Sequence, residues 1–506
     1  MSKKTLIRGV NWVGDAVMTM PAIRAIKRAY HSSEVSLLVK PWVAPLFQKD
    51  PFIDKTIQYE DSHSGIMGKF QLARVLREES FQRAILLQNA LDAAVTAWLA
   101  RIPERIGYAR DGRGILLTHS LPHTGEDRNM HHIDYYLKLL ESVGIPSAGT
   151  DTWIYLSLEE RLQSRERLSS LKRPILGINP GASYGSAKQW LPERFTEVAR
   201  RTIKELGGSV VVFGGPGEID IASDIAKPLR EHENAGRVMG LAGKTSLREL
   251  MALMSECDVV LSNDSGPMHI ADALAVPLVA IFGSTSPELT GPRKPSSHVI
   301  RASVDCSPCF KRKCPDKGLT CMETIETNEV FEIIRKSLLS QKAVFFDRDG
   351  TLCEDAHYLN SWDKLKVFDN ISHLNSLINK DYKLVGLSNQ SGISRGIVDE
   401  GFVGEVNRMF MDKHGFSGFY YCPHHPDDAC LCRKPEPGLA IRARDKHNID
   451  LRRSYMVGDK DADMLLGRTI GAYTILVTTG KQKTSPYADF IAKGLKEAVE
   501  HITSQE

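Results

Sequence analysis

Residues 343–352 of the 506-residue chain read AVFFDRDGTL, and the organisation of the rest can be worked out from them. The first four are apolar, as in a short buried strand, and Asp347 and Asp349 come directly after them. In open α/β sheets, ligands and catalytic groups lie at this carboxyl end of the strands. Both carboxylates point to the same side because side chains alternate along a strand, and Gly350 lets the backbone turn sharply. A plain aspartate-rich turn has the same pattern, so the stretch alone does not establish a site.

Three more motifs follow in order: SNQSG at residues 388–392, RKP at 433–435 and VGDKDAD at 457–463. SNQSG and VGDKDAD each end an apolar run that predicts another strand. With AVFFDRDGTL, this ordered set resembles the haloacid-dehalogenase-like phosphatases over residues 341–506. The resemblance implies a Rossmannoid α/β domain with its site at the carboxyl ends of the strands.

The same resemblance implies roles for single residues. Asp347 would be the nucleophile that forms an aspartyl phosphate, and Asp349 would act as general acid and then as general base. Mg²⁺ would be held by the Asp347 carboxylate, the Asp349 carbonyl and Asp459, and Asp463 would act on it indirectly. The predicted substrate-binding residues are Ser388, Asn389 and Lys434 for the reacting phosphoryl group and Arg395 and Arg433 for a second phosphate.

A loop rich in cysteine and histidine, CPHHPDDACLCRKP, precedes and includes the RKP motif. Three thiolates and one imidazole in so short a loop predict a closed tetrahedral Zn²⁺ site, and four protein ligands make that zinc structural. The predicted ligands are Cys422, His424, Cys430 and Cys432. This loop and NQSGISRG resemble the heptose bisphosphate phosphatases, which implies D-glycero-D-manno-heptose 1,7-bisphosphate as the substrate. Histidinol-phosphate phosphatases share these motifs and are the alternative.

The chain upstream of this segment contains two series of short apolar strands alternating with helical patterns. The first runs from TLIRGV to RAILLQ, and the second from PILGINPG to PLVAIFGS. Such alternation is typical of doubly wound parallel sheets, and two in tandem predict two lobes that face a cleft. We therefore predict three α/β domains: residues 1–165, 166–340 and 341–506.

Charge and hydropathy exclude several classes of protein. The chain has 65 basic and 62 acidic residues, a net charge of +3, which gives no sign of nucleic-acid binding. It contains no signal-peptide pattern at the N-terminus and no apolar run of about 18 residues. Nine cysteines, an odd number, favour reduced thiols over a disulfide framework. We therefore expect a cytoplasmic enzyme.

Four short motifs in the first two predicted domains are candidates for a second site. Asp15 lies between a strand and an amphipathic helix, where it is either a helix cap or a base that faces the cleft. The other three motifs are turns at strand ends or helix N-termini, which suit a diphosphate or a ribose. They contain Lys188, Glu218 and the run Asp264, Ser265 and Gly266.

Together, GVNWVGDAVMTMP, NPGASYGSAKQWLPE, LAGKTSLRELMALM and NDSGPMHIADALAVPLVAIFG resemble the lipopolysaccharide heptosyltransferases of glycosyltransferase family 9. The resemblance covers residues 1–340 and implies the two Rossmann-like lobes of the GT-B arrangement. It also implies inverting transfer of heptose from ADP-heptose to the lipopolysaccharide inner core, with no metal. Asp15 would be the base, and Glu218 would bind the ribose. Lys188 and the main-chain amides of Ser265 and Gly266 would bind the diphosphate, and Asp264 of the same turn is a further substrate-binding candidate.

The acceptor and a second cysteine cluster leave alternatives open. Arg105, Arg110 and Arg113 in RIPERIGYARDGRG form either a site for the anionic acceptor or a solvated basic loop. Trp42 and Phe47 are candidates for peripheral contact with the inner membrane, although burial is favoured. A metal site in CSPCFKRKCPDKGLTC is left open, with candidate ligands Cys306, Cys309, Cys314 and Cys321.

The complete motif sets predict two activities in one chain. A different class of interpretation is that one half has lost its activity and serves as a scaffold or binding module. The joint presence of a heptosyltransferase-like and a heptose-phosphatase-like segment favours one pathway, by association and not by geometry.

Overall fold

The computed structural model describes residues 3–230, 235–315, 318–338 and 341–505. It divides into two compact units, Met1–Leu338 and Leu339–Glu506, called here the N-terminal and C-terminal units. Within the described residues, no helix is long and apolar enough to cross a bilayer.

The first lobe of the N-terminal unit contains a six-stranded sheet with all strands parallel and the order β3-β2-β1-β4-β5-β6. Its strands are β1 (Lys4–Arg8), β2 (Glu34–Val39), β3 (Lys55–Gln58), β4 (Arg83–Leu86), β5 (Glu104–Ala109) and β6 (His119–Pro122). Its helices are α1 (Val13–Met18), α2 (Met20–Ala29), α3 (Gly65–Glu78), α4 (Leu91–Leu99) and α5 (His132–Glu141).

The second lobe repeats this strand order, with β9-β8-β7-β10-β11-β12. Its central strands are buried on both faces, which explains why they are apolar without alternation. The strands are β7 (Ile175–Asn179), β8 (Ser209–Val212), β9 (Val238–Gly240), β10 (Val259–Asn263), β11 (Leu278–Phe282) and β12 (Ser297–Arg301). The helices are α6 (Leu158–Leu168), α7 (Pro192–Glu205), α8 (Ile219–Arg230), α9 (Leu247–Met254), α10 (Gly266–Ala273), α11 (Pro287–Thr290), α12 (Thr320–Glu323) and α13 (Thr327–Ser337).

The predicted boundary between residues 165 and 166 falls inside α6. This helix starts with a capping box in which Ser157 and Glu160 satisfy each other's main-chain N–H groups. Glu160 is then bound by Arg248 of α9 at 2.6 Å, and Arg165 pairs with Glu256 at 3.0 Å. The whole helix therefore packs on the second lobe, and we propose that the lobes separate before Ser157.

The C-terminal unit has a third sheet with the same order, β15-β14-β13-β16-β17-β18, again entirely parallel. Its strands are β13 (Ala343–Phe346), β14 (Lys383–Asn389), β15 (Gly418–Cys422), β16 (Tyr455–Gly458), β17 (Tyr473–Val477) and β18 (Phe490–Ala492). Its helices are α14 (Asn375–Ile378), α15 (Glu400–His414), α16 (Gly438–His447), α17 (Asp461–Ile470) and α18 (Leu495–Ser504). In every sheet, the strand order reverses beside the first strand, where α/β folds place their ligands.

Candidate active sites

The first candidate site lies at the carboxyl ends of β13 and β16, the central pair of the third sheet. Asp347 follows β13, Asp459 follows β16, and Asp463 lies in the first turn of α17. All three side chains are buried, and one carboxylate oxygen of each lies within 4.8 Å of the others. Asp463 was predicted to act only indirectly, but its carboxylate belongs to this cluster together with those of Asp347 and Asp459.

Lys434 neutralises part of this carboxylate cluster. Its buried ammonium group donates to Asp347 Oδ1 at 2.7 Å and to the Leu387 carbonyl at 2.7 Å, and it pairs with Asp463 at 2.6 Å. Burial alone would raise the pKa of Asp347, but the ammonium groups of Lys434 and Lys460 outweigh it and hold that pKa below its usual range. Asp347 is therefore held as a carboxylate, the form a nucleophile needs.

Asp459 has one carboxylate oxygen, Oδ1, that is available to a cation. Burial first, and the Asp347 carboxylate second, raise the pKa of Asp459 to about 7. Its Oδ1 lies 3.3 Å from Lys460 Nζ but accepts no hydrogen bond. Gly350, at φ +95°, leaves the necessary space, because a Cβ there would lie 2.6 Å from Asp459 Oδ2. A buried carboxylate oxygen without a donor among the described residues fits Mg²⁺.

Asp349 is oriented by two neighbours. Arg348 donates to its two carboxylate oxygens at 3.1 and 3.0 Å, and Gln390 donates to Oδ2 at 2.8 Å. Gln390 also donates to Ser388 Oγ at 2.6 Å, so Ser388 is linked to Asp349 through this amide. Gln390 lies inside the SNQSG motif, and its position beside two predicted site residues was the signal that could have identified it.

Asn389 hydrogen-bonds the main chain of Lys434, a contact that the sequence did not predict. Its side chain accepts from the Lys434 main-chain N–H at 3.0 Å and donates to the Lys434 carbonyl at 3.2 Å. Both ends of its amide are thus used to hold the backbone of Lys434. Asn389 therefore positions the lysine, in addition to lining the cavity above it.

The cavity above these aspartates has a volume of about 340 Å³. Arg395 and Arg433 line it, and the buried Nη1 of Arg433 has no hydrogen-bond partner in the described part of the chain. Lys460 and Lys481 also line it and share Asp355, at 3.7 and 3.0 Å. Cations on several sides make the cavity suitable for a substrate with more than one phosphate. Lys481 lies outside every motif identified in the sequence.

The cysteine and histidine side chains predicted to bind zinc lie together. Cys422 Sγ is 3.4 Å from Cys430 Sγ and 3.6 Å from His424 Nδ1, and Cys432 Sγ is 3.6 and 3.3 Å from the same two atoms. The edges of a tetrahedral zinc site are about 3.5 to 3.8 Å long, given its bond lengths. The donor set and its spacing therefore fit Zn²⁺, in a loop that ends immediately before Arg433 and Lys434.

The second candidate site is a cleft of about 650 Å³ in the N-terminal unit. Helices α1 and α10 meet at its floor, where a Cβ on Gly14 would lie 2.7 Å from the His269 ring and one on Gly266 would lie 3.2 Å from Val13. The two glycines thus let two helix N-termini approach each other, which concentrates positive dipole ends in the cleft. Six predicted residues line it: Asp15, Lys188, Glu218, Asp264, Ser265 and Gly266.

Asp15 does not cap its helix. The N-cap of α1 is Trp12, and Asp15 is the third helical residue, with 32% of its side chain exposed in the cleft. Its Oδ1 lies 3.4 Å from His132 Nδ1. His132, the first residue of α5, comes from far along the chain, so no local sequence pattern predicts this contact.

Lys188 is already paired. Its ammonium lies 2.5 Å from Asp264 Oδ2, which also accepts a hydrogen bond from Thr285. Ser265 caps the start of α10 through its backbone, and its hydroxyl accepts from Asn179 Nδ2 at 3.3 Å. Asp264 therefore positions the lysine through Oδ2.

Glu218 is fixed at the edge of the cleft. Its Oε2 accepts from the Gly215 main-chain N–H at 2.8 Å. Gly181 is required beside it, because a Cβ there would lie 1.8 Å from Oε1. One carboxylate oxygen is thus held by the backbone while the side chain lines the cleft.

The predicted basic acceptor loop is largely structural. Arg105 belongs to strand β5 and donates to the carbonyls of Leu116 and Ile102. Arg113 is fully buried and donates to the carbonyl of Tyr108 at 2.7 Å. Only Arg110 of the three is exposed. Of the two alternatives, a solvated loop does not describe Arg105, which lies in a strand, or Arg113, which is buried, because their guanidinium groups donate to main-chain carbonyls.

Of the two aromatic residues considered for membrane contact, one is buried and the other lines the cleft. Phe47 is buried, with 3% of its surface exposed. Trp42 is half exposed, donates to the Asn11 carbonyl at 2.9 Å and lines the cleft.

The second cysteine cluster shows no metal geometry within the described part of its segment, which omits residues 316 and 317. Cys306 is exposed and Cys321 is buried, while Cys309 and Cys314 are intermediate. In the described residues, only the two clusters given above bring three or more ligand atoms within 4.8 Å.

Comparison with known proteins assigns each unit to relatives. The model of "Glycosyltransferase family 9 (heptosyltransferase)" matches residues 69–320, and an HAD-hydrolase-like model matches residues 431–500. Lipopolysaccharide heptosyltransferase 2 of Salmonella typhimurium is 31% identical over 308 residues, 59% of this chain and 88% of that protein. D-glycero-beta-D-manno-heptose-1,7-bisphosphate 7-phosphatase of Haemophilus ducreyi is 38% identical over 181 residues, 32% of this chain and all of that protein.

For the N-terminal unit, a solved structure agrees with the sequence comparison. ADP-heptose lps heptosyltransferase II of E. coli matches with a TM-score of 0.58 and 27% identity, over 66% of this chain and 98% of that chain. The comparisons confirm both predicted resemblances and the predicted α/β fold class.

Proposed function

Because the chain belongs to glycosyltransferase family 9 over its first two-thirds and to the haloacid-dehalogenase-like heptose bisphosphate phosphatases over its last third, we propose that it is a bifunctional enzyme of lipopolysaccharide heptose biosynthesis. Its C-terminal unit removes the 7-phosphate of D-glycero-β-D-manno-heptose 1,7-bisphosphate. Its N-terminal unit transfers heptose from ADP-heptose to the lipopolysaccharide inner core.

The observation that carries the phosphatase proposal is the convergence of Asp347, Asp459 and Lys434 below a cationic cavity. Asp347 attacks phosphorus and forms an aspartyl phosphate, and the bond to the sugar oxygen breaks. Asp349 gives that oxygen its proton, then takes a proton from the water that hydrolyses the intermediate. Lys434 offsets negative charge on the transferring group.

Two cation sites complete this proposal. Asp347, Asp459 and the main-chain carbonyl of Asp349 would hold Mg²⁺, which when bound offsets charge on the phosphoryl oxygens. Zn²⁺ in the Cys422–Cys432 loop would be structural, because four protein ligands leave no open position. Arg395 and Arg433, whose Nη1 has no partner among the described residues, would bind the phosphate on C1.

The observation that carries the transferase proposal is that six predicted residues line one cleft between two lobes. Asp15 takes the proton from an acceptor heptose hydroxyl, whose oxygen bonds to the anomeric carbon as the bond to ADP breaks. Lys188 and the N-terminus of α10, at Ser265 and Gly266, stabilise the leaving diphosphate. Glu218 holds the ribose hydroxyls.

One experiment tests each activity on the purified full chain. Phosphate release is measured from the 1,7-bisphosphate with histidinol phosphate as the control substrate, and faster release from histidinol phosphate would contradict the assignment. ADP release is measured from ADP-heptose with and without a lipid A–Kdo–heptose acceptor. ADP release that does not depend on acceptor would contradict the transferase assignment.

A further inference from the structure

The cysteine-rich segment between β12 and α12 packs against the loop that carries Lys188. The Phe310 main-chain N–H donates to the Ser284 carbonyl at 2.7 Å, and the Phe310 carbonyl accepts from the Tyr184 hydroxyl at 2.8 Å. The Arg312 carbonyl accepts from the Ala187 main-chain N–H at 3.1 Å. Residues 310–312 are thus hydrogen-bonded both to the loop that carries Lys188 and to the segment that follows β11.

This attachment places Arg312 next to Lys188. The Lys188 ammonium lies 4.8 Å, and the Arg312 guanidinium carbon 5.2 Å, from the centre of the Tyr184 ring. Both side chains line the cleft. Two cations directed at one aromatic ring repel each other, so the arrangement favours an anion between or above them.

The charges that line the cleft favour a role for Arg312 in binding such an anion. The carboxylates of Asp15, Glu218 and Asp264 line the cleft, and its only cationic Lys or Arg side chains among the described residues are Lys188 and Arg312. Lys188 already pairs with Asp264 at 2.5 Å. Within the described part of the chain, the Arg312 guanidinium has no carboxylate partner. A diphosphate without Arg312 would therefore face a lining with a formal charge of about −2.

We propose that Arg312 is a second cationic ligand of the donor's diphosphate, and that the cysteine-rich segment serves to place it there. This inference rests on the proposed transferase function. The guanidinium would bind the diphosphate with forked hydrogen bonds while its flat face stays on Tyr184.

The test compares ADP and adenosine binding by calorimetry in wild type, Arg312→Gln, Arg312→Lys and Lys311→Gln full-length chains. Lys311 is exposed, adjacent and outside the cleft lining, which makes it the matched control. We expect Arg312→Gln to weaken ADP binding about tenfold, equivalent to about 1.4 kcal/mol, with adenosine binding unchanged. Arg312→Lys should recover part of the loss, and Lys311→Gln should change neither affinity.

Two results would overturn the inference while leaving the transferase proposal standing. One is ADP affinity in Arg312→Gln within twofold of wild type. The other is an equal loss of ADP and adenosine affinity, which would mean that Arg312 supports the fold of the cleft. Failure of the wild-type chain to bind ADP at all would instead reject the proposed donor, and this inference with it.

Discussion

Asp347 is held as a carboxylate by Lys434, and this residue-scale arrangement determines the chemistry we propose. Asp347→Asn keeps the size of the side chain but replaces one carboxylate oxygen with an NH2 group and removes the nucleophile. We predict that phosphate release falls by more than about a thousandfold. Heptosyl transfer in the same preparation is the control and should be unchanged. Phosphatase turnover close to wild type would exclude the covalent mechanism.

Substitutions of Asp15 and of Lys188 should cause two different defects. Asp15 contacts His132, whereas Lys188 pairs with Asp264 beside the N-terminus of α10. Asp15→Ala should suppress heptosyl transfer with little change in ADP affinity, because the base acts on the acceptor. Lys188→Ala should weaken ADP binding about tenfold. Titration calorimetry with ADP distinguishes them, and an equal loss of affinity in both would mean that Asp15 is structural.

At this scale, the sequence predicted which residues gather but not what each one contacts. Motifs place Asp347 and Asp459 at neighbouring strand ends, since strand order follows from the α/β pattern. Asn389 was predicted to bind a phosphoryl oxygen, and the sequence carried no sign that its amide also holds the Lys434 backbone. Arg113 was placed in either an acceptor site or a solvated loop, but it is buried and donates to the Tyr108 carbonyl. Such contacts depend on side-chain packing between distant segments, for which a single sequence carries no pattern.

The loop proposed to bind zinc, Cys422–Cys432, should affect both stability and catalysis, because it ends immediately before Arg433 and Lys434. Cys430→Ser removes one of the four proposed ligands. We predict the loss of one zinc equivalent, a lower melting temperature and slower phosphate release, since metal binding contributes folding energy and the loop carries Lys434. Metal analysis and calorimetric melting of the full chain measure this.

Cys353→Ala is the matched control for the zinc loop. Cys353 is a buried cysteine of the same unit and lies outside the cluster. The Cys353→Ala chain should therefore keep its zinc. Full zinc content in Cys430→Ser would contradict the proposed site.

Elements were predicted best where burial makes them apolar. The runs around β1, β7, β10 and β13 were all identified, because central parallel strands are buried on both faces. β5 was taken for a basic loop, because an outer strand carries Arg105 and exposes part of its length. β6 and β12 were missed for the same reason, since their residues are partly exposed.

At the scale of the whole molecule, the chain consists of two compact units that divide after Leu338. The N-terminal unit has two sheets and the C-terminal unit has one, and each unit has its own core and candidate site. We predict that fragments 1–340 and 341–506 are each soluble and keep near-full activity on their own substrates. Assaying both fragments separately measures this. A large loss in either one that is restored by mixing would show that the units depend on each other.

The two reactions cannot follow each other directly. The phosphatase would release heptose 1-phosphate, whereas the transferase would consume ADP-heptose, so an adenylyl transfer must come between them. We predict that the full chain given the bisphosphate, ATP and acceptor forms no heptosylated product. Product should appear only when a separate nucleotidyltransferase is added. Formation without it, detected by mass spectrometry of the acceptor, would reveal a third activity.

The strand order shared by the three sheets affects how fast the chain can fold. In each sheet, the central pair joins segments far apart in sequence, as where Leu6 pairs with Ala84 and Val344 with Tyr455. Neither pair can form early from a local hairpin, and loop closure must precede most of the stabilising contacts. Refolding from denaturant should therefore be slow and prone to aggregation. Synthesis from the N-terminus lets the first sheets form before the last strands emerge from the ribosome.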